Sequence, residues 1–121
     1  MILVDSSIWV DHFRDGDAAL AGLLQSGAVL AHPFVVGELA CGDLRARDEI
    51  LGLLRDLPMA KSVSDDEALS FIARHSLMAR GIGYIDVHLL ASAVLTQARL
   101  WTRDKRLNVV ARSLEMDFAP A

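Results

Sequence analysis

The sequence lacks a second cysteine, a long apolar run and an excess of positive charge. The single cysteine, Cys41, excludes a disulfide within the chain and is typical of a reducing compartment such as the cytoplasm. Because its neighbours are apolar or small, we expect Cys41 to be a buried, inert thiol. Charged residues interrupt every candidate membrane segment, and the first residues reach Asp5 without a basic leader. We therefore expect a cytoplasmic protein with no membrane association.

The formal net charge of −4 argues against a protein that coats nucleic acid by bulk positive charge. It does not exclude a nuclease, because an acidic metal site subtracts charge at the place where cations are later added. With 121 residues, 53% hydrophobic and 23% charged, the composition predicts a folded protein. We expect residues 1–121 to form one domain.

Short apolar segments alternate with helical patterns along the whole chain. The predicted strands are residues 1–4, 28–31, 100–102 and 116–119. Seven helices are predicted. They begin after Ser6, cover 17–25, begin at Pro33, cover 47–57, begin after a capping box at Ser64, cover about 84–98 and cover 104–114. This alternation predicts an α/β fold in which helices cover both faces of a parallel sheet.

Two acids follow predicted strands. Asp5 ends the first strand and Asp104 follows the strand at 100–102. Parallel sheets place their ligand sites beyond the carboxyl ends of the strands, so both acids lie at the expected edge. Each could equally be an ordinary turn or helix-capping residue.

Two further acids lie in apolar helical segments. Glu38 is the only charged residue between Phe34 and Cys41, and Asp86 shares a helix face with Leu90. A buried carboxylate is costly unless it is paired or bound to a metal. A salt bridge to an arginine could explain Glu38, and capping of a helix N-terminus could explain Asp86. We expect these two acids to be the ones whose surroundings most demand compensation.

Four carboxylates brought together would favour Mg²⁺, or Mn²⁺ as a substitute, because both ions prefer oxygen ligands. Without a metal the carboxylates would repel one another. One or two bound ions could activate water and stabilise charge on a phosphodiester. Zinc is less favoured, because the histidines show no paired-ligand spacing. They are His12, His32, His75 and His88.

In their order, these motifs resemble PIN-domain nucleases, and most closely the VapC toxins of bacterial VapBC toxin–antitoxin systems. The motifs are Val4-Asp5-Ser6-Ser7, Val36-Gly37-Glu38-Leu39, Ile85-Asp86 with Leu89-Leu90-Ala91-Ser92-Ala93, and Thr102-Arg103-Asp104. The resemblance implies a three-layer α/β/α sandwich around a central, mainly parallel sheet. It also implies a magnesium-dependent endoribonuclease that acts on RNA, forms a homodimer and is inhibited by a VapB-type antitoxin.

The resemblance also implies a role for each site residue. Asp5 and Asp86 match the principal metal ligands, while Glu38 and Asp104 complete the site directly or through water. Ser6 and Thr102 match hydroxyl positions that support the ligands. The implied reaction is attack of metal-activated water on an RNA phosphodiester, without a covalent enzyme intermediate.

Two other classes of protein remain open from the residues alone. A receiver-like signalling domain shares the parallel fold, the strand-end acid and magnesium. It would need paired acids near the first strand and a late lysine at a strand end. Asp5 has no acidic neighbour, and Lys105 falls at a predicted helix start. The other alternative is a catalytically silent α/β interaction module, which magnesium-dependent RNA cleavage would distinguish from an enzyme.

Overall fold

The computed structural model describes residues 1–120, which form seven helices and three strands. The strands are β1 (Ile2–Val4), β2 (Val29–Leu30) and β3 (Arg99–Trp101). The helices are α1 (Ser6–Asp15), α2 (Ala18–Gln25), α3 (Pro33–Ala40), α4 (Arg47–Asp56), α5 (Asp65–His75), α6 (Tyr84–Thr96) and α7 (Lys105–Ser113). Ala121 lies outside the described residues, so the prediction of one domain over 1–121 extends beyond them.

The sheet is parallel throughout and has the order β2-β1-β3. In the central strand, Leu3 is paired with Leu30 on one side and with Leu100 on the other. Leu3 and Val4 are both completely buried. Because successive side chains of a strand point to opposite faces, helices must cover the sheet on both sides. The chain is thus an α/β sandwich around a parallel sheet, as the sequence predicted.

Each strand leads into a helix at the same edge of the sheet. Asp5 follows β1 and caps α1, and Asp104 follows β3 and caps α7. His32 follows β2 and caps α3, where Pro33 occupies the first turn. The helix starts therefore gather at the carboxyl edge of the sheet, where parallel α/β proteins carry their sites.

Several local predictions were wrong. The predicted strand at 116–119 is a single bridge between Leu100 and Asp117. The apolar pattern of residues 47–57 predicts that Leu53 faces inward, but it is 62% exposed, because α4 packs on the core through Leu54 and the residues one turn away. Cys41 is exposed, since it lies at the C-terminal end of α3 where the chain turns into solvent.

The longest helix among residues 1–120 is α6, with 13 residues. Within that part of the chain no helix has the length and apolar character needed to cross a membrane.

Candidate active site

Asp5 is the most deeply buried of the four predicted acids, with 7% of its surface exposed. Its Oδ1 accepts hydrogen bonds from the backbone N–H of Ser6 at 2.8 Å and from the Ser6 hydroxyl at 3.4 Å. Its Oδ2 accepts from the Thr102 hydroxyl at 2.7 Å and from the Ser7 hydroxyl at 3.2 Å. Donors from both ends of the chain therefore hold this carboxylate in one orientation at the end of β1.

Asp86 is half-buried in the first turn of α6. Its Oδ2 accepts a hydrogen bond from the backbone N–H of Gly83 at 3.0 Å, so the carboxylate caps the helix. Burial raises the pKa of Asp86, the Gly83 hydrogen bond partly offsets that rise, and the charges of Asp5 and Asp104 raise it further. The capping role predicted as an alternative is real, but it uses only one of the two oxygens.

Glu38 is exposed on α3, while its neighbours Val35 and Leu39 point into the core. Its pKa is raised by partial burial and by the charges of Asp5 and Asp86, and a hydrogen bond from Ser6 acts in the opposite direction. The expectation that Glu38 is embedded among apolar side chains was therefore wrong. Other carboxylates, rather than a wholly apolar setting, distinguish its environment.

Asp104 is exposed at the start of α7. Its Oδ1 accepts a hydrogen bond from the backbone N–H of Leu107 at 3.0 Å. Its own N–H donates to the Thr102 hydroxyl at 3.1 Å, and that hydroxyl donates in turn to Asp5. Thr102 therefore fixes Asp5 and Asp104 relative to each other, although Asp104 also serves as a helix cap.

Electrostatic repulsion connects all four acids. Asp5 and Asp86 both act on Glu38, and Asp5 and Asp104 both act on Asp86. Among residues 1–120, none of the four acids forms an ion pair with a basic side chain. Among these residues, hydrogen bonds but no basic side chains stabilise the negative charge at this edge.

A divalent cation fits this donor set, because carboxylate oxygens are the ligands preferred by Mg²⁺ and Mn²⁺. The four acids lie at one edge of the sheet, but their carboxylate oxygens do not converge on one ion position. In the described part of the chain no group of three or more His, Cys, Asp or Glu residues is arranged to hold an ion as it stands.

Ser7 is a site residue to which the sequence analysis gave no role. Its hydroxyl donates to Asp5 Oδ2 and accepts from the backbone N–H of Arg103 at 3.1 Å. The Arg103 guanidinium is itself held by Asp11 at 2.6 Å and by Asp17 at 2.8 Å. The only signal in the sequence was the second serine after Asp5, which is also a common residue at a helix start.

Comparisons with known proteins agree with this architecture. A family model of the PIN domain matches residues 2–113. The chain is 47% identical over 108 residues to Ribonuclease VapC32 from Mycobacterium tuberculosis, in strain CDC 1551 / Oshkosh and in strain ATCC 25618 / H37Rv. The alignment covers 88% of this chain and 87% of that protein.

Proposed function

The chain belongs to the PIN-domain family and, within it, to the VapC proteins, and on this premise we propose that it is a magnesium-dependent endoribonuclease acting as the toxin of a toxin–antitoxin pair. The observation that carries the proposal is the edge of the sheet where four carboxylates repel one another without a basic partner. Repulsion among unpaired carboxylates is a cost that a bound divalent cation relieves, and carboxylate oxygens are the ligands that Mg²⁺ prefers. The similarity to a protein named as a ribonuclease gives the reaction its class.

Asp5 and Asp86 would hold the ion, and Glu38 and Asp104 would complete its surroundings directly or through water. A bound Mg²⁺, or Mn²⁺ in its place, supplies activated water and stabilises the charge that develops on the phosphodiester. No side-chain nucleophile is required, so neither Ser7 nor the exposed thiol of Cys41 has a role in bond cleavage.

The protein's own contribution is to orient the ligands before the substrate arrives. Asp5 is held on both oxygens by Thr102, Ser6 and Ser7, so it has little freedom to turn away. Asp86 is held on Oδ2 alone, and among residues 1–120 its Oδ1 receives no hydrogen bond and is available as a ligand. Such pre-orientation reduces the cost of assembling a site when the ion and the RNA bind.

The direct test is cleavage of RNA by the purified protein. We expect cleavage with Mg²⁺, loss of cleavage with EDTA and recovery when Mg²⁺ is added in excess. Asp86→Asn should remain folded, because the amide oxygen can still accept from Gly83, and it should not cleave. RNA cleavage by Asp86→Asn preparations at the wild-type rate, with host nucleases removed, would reject the proposal. Absence of cleavage by the wild-type protein would favour the silent interaction module.

The receiver-like alternative has lost its basis. Lys105 is the first residue of α7 rather than the last of a strand, and serines rather than a second acid follow Asp5 in the chain. Membership of the PIN-domain family is independent of these two observations and points the same way.

The remaining parts of the proposal concern the partners of the protein and its location in the cell. We propose a VapB-type antitoxin, a homodimer and action on RNA in the cytoplasm. Expression of the chain alone should arrest growth, and co-expression of a small protein encoded beside it should restore growth. Sedimentation of the purified chain should give twice the mass of one chain. Harmless expression of active protein would contradict the toxin assignment, and a monomer would contradict the dimer.

A further inference from the structure

A cleft of about 650 Å³ has Glu38, one of the four acids, in its lining. It is bounded by α1, by α3, by the segment that joins α3 to α4 and by α4. Ser6, which donates hydrogen bonds to Asp5, also lines the cleft. The other lining residues are Val10, Phe13, Arg14, Leu39, Gly42, Asp43, Leu44, Arg45 and Ile50. A molecule that lies in this cleft therefore lies beside Glu38 and beside a residue that holds Asp5.

Two arginines, Arg14 and Arg45, are among the residues that line the cleft. Arg14 lies near the end of α1, and Arg45 lies in the connection before α4. Both are exposed, and within residues 1–120 neither forms an ion pair or a side-chain hydrogen bond. This distinguishes them from Arg103, which two carboxylates hold at the other side of α1. A free guanidinium presents a planar set of donors that suits a phosphate group.

Apolar side chains form much of the rest of the lining. This apolar wall contains the partly buried Phe13, whose ring stacks on Trp9 with centroids 5.7 Å apart, together with Leu44 and Ile50. Apolar and aromatic walls bind the faces of unstacked bases, whereas a duplex exposes its backbone and groove edges. The combination of an apolar wall and cationic rim therefore matches one nucleotide that has left a helix, and its flanking phosphates.

We propose that this cleft is a nucleotide-binding subsite of the RNA substrate, in which Arg14 and Arg45 bind backbone phosphates beside the scissile bond and the apolar wall receives an unpaired base. The inference rests on the proposed ribonuclease function, and it adds the residues that select the RNA. Glu38 and Asp43 also line the cleft and would repel any anion beside them, so only the positions of the two arginines suit phosphates. The phosphates of RNA reach the arginines from the same strand that enters the acid site.

Binding can be measured without cleavage in an Asp86→Asn background. The probe is a fluorescent single-stranded RNA oligonucleotide, compared with the same sequence in a duplex, at several salt concentrations. Arg14→Gln and Arg45→Gln should each weaken binding of the single strand about tenfold, and each should reduce the salt-dependence slope by about 0.7. The matched control is Arg55→Gln, which removes one charge from an exposed position of α4 outside the cleft and should change binding less than about twofold.

The same three substitutions in the active protein separate this inference from the proposed function. With wild-type cleavage present, the two cleft variants should raise KM and leave kcat unchanged, because they remove contacts made equally in the ground state and transition state. If the wild-type protein cleaves RNA and the cleft variants behave like Arg55→Gln, the subsite is wrong and the ribonuclease stands. If the wild-type protein does not cleave, the binding arm still decides the subsite. Equal affinity for duplex and single strand would overturn the role of the apolar wall.

A protein occupant is the other outcome to be distinguished. If Arg14→Gln and Arg45→Gln bind RNA as the control does but no longer bind the protein encoded beside this chain, the cleft is a protein-binding site. That result would overturn the assignment to RNA.

Discussion

Lowering the pH from about 7.5 to about 4.5 should destabilise the protein through His32. This side chain is 1% exposed at the start of α3. Its Nδ1 accepts a hydrogen bond from the backbone N–H of Phe34 at 3.0 Å, and its Nε2 lies 3.1 Å from the hydroxyl of Ser92. The ring is therefore neutral, with its proton on Nε2. A second proton on Nδ1 would break the helix cap.

The structure sets the size of the effect. Burial, and to a smaller degree the nearby charge of His88, lowers the pKa of His32 from 6.5 to about 4. The unfolded chain takes up the proton below pH 6.5, whereas the folded protein resists it until about pH 4. The contribution to stability is therefore complete above pH 6.5 and is lost as the pH falls towards 4. The loss should reach about 2.5 kcal/mol by pH 4.5.

Urea unfolding of the wild-type protein and of His32→Asn, at constant ionic strength with EDTA, measures this contribution. Asparagine keeps an oxygen that can cap α3 but cannot titrate. The raised pKa values of Glu38 and Asp86 act in the opposite direction, and they cancel in the difference between the two proteins. The stability difference should shrink by about 2.5 kcal/mol between pH 7.5 and pH 4.5. An unchanged difference over this range would refute the reasoning.

Three further substitutions test separate parts of the structure. Glu38→Gln should raise the Tm of the metal-free protein by about 1–2 °C at neutral pH, because it removes a charge that the neighbouring acids repel. A lower Tm in calorimetry would contradict this prediction. Thr102→Val should cost about 1–3 kcal/mol in urea unfolding because it removes a buried donor to Asp5, while Thr102→Ser should recover most of the loss. Ser64→Ala should cost about 1 kcal/mol by breaking the capping box of α5, whereas Ser70→Ala on the exposed side of the same helix should cost nothing. Equal unfolding midpoints for these two alanine variants would argue against the cap.

Local rules were sufficient to predict the order of strands and helices. The continuous apolar run before Asp5 predicted a buried strand, and β1 occupies it. Pro33 and the capping box at Ser64 marked helix starts that the structure confirms. These signals work because strand burial, the fixed φ of proline and side-chain capping act within a few residues. The same rules placed Asp5 and Asp104 at the edge of the sheet.

The environments of the acids could not be predicted in this way. Asp5 is buried because the hydroxyl of Thr102, 97 residues away, lies against it, and no local pattern contains that contact. Glu38 is exposed because α3 packs through Val35 and Leu39, so the apolar character of the segment says little about its other face. Inferring the environment of an acid from the apolar residues beside it in the sequence therefore fails wherever tertiary packing selects one face of a short helix.

The most direct test of the central claim is the single-turnover rate of RNA cleavage at saturating Mg²⁺ for a set of isosteric variants. The set comprises Asp5→Asn, Glu38→Gln, Asp86→Asn, Asp104→Asn and the double variant of the first and third. If the four acids act as one metal site, each single variant should lose at least about a hundredfold in rate, and the double variant should be no slower than the slower of its two parents. A single variant that keeps the wild-type rate would remove its acid from the site. Multiplicative losses in the double variant would contradict a shared site.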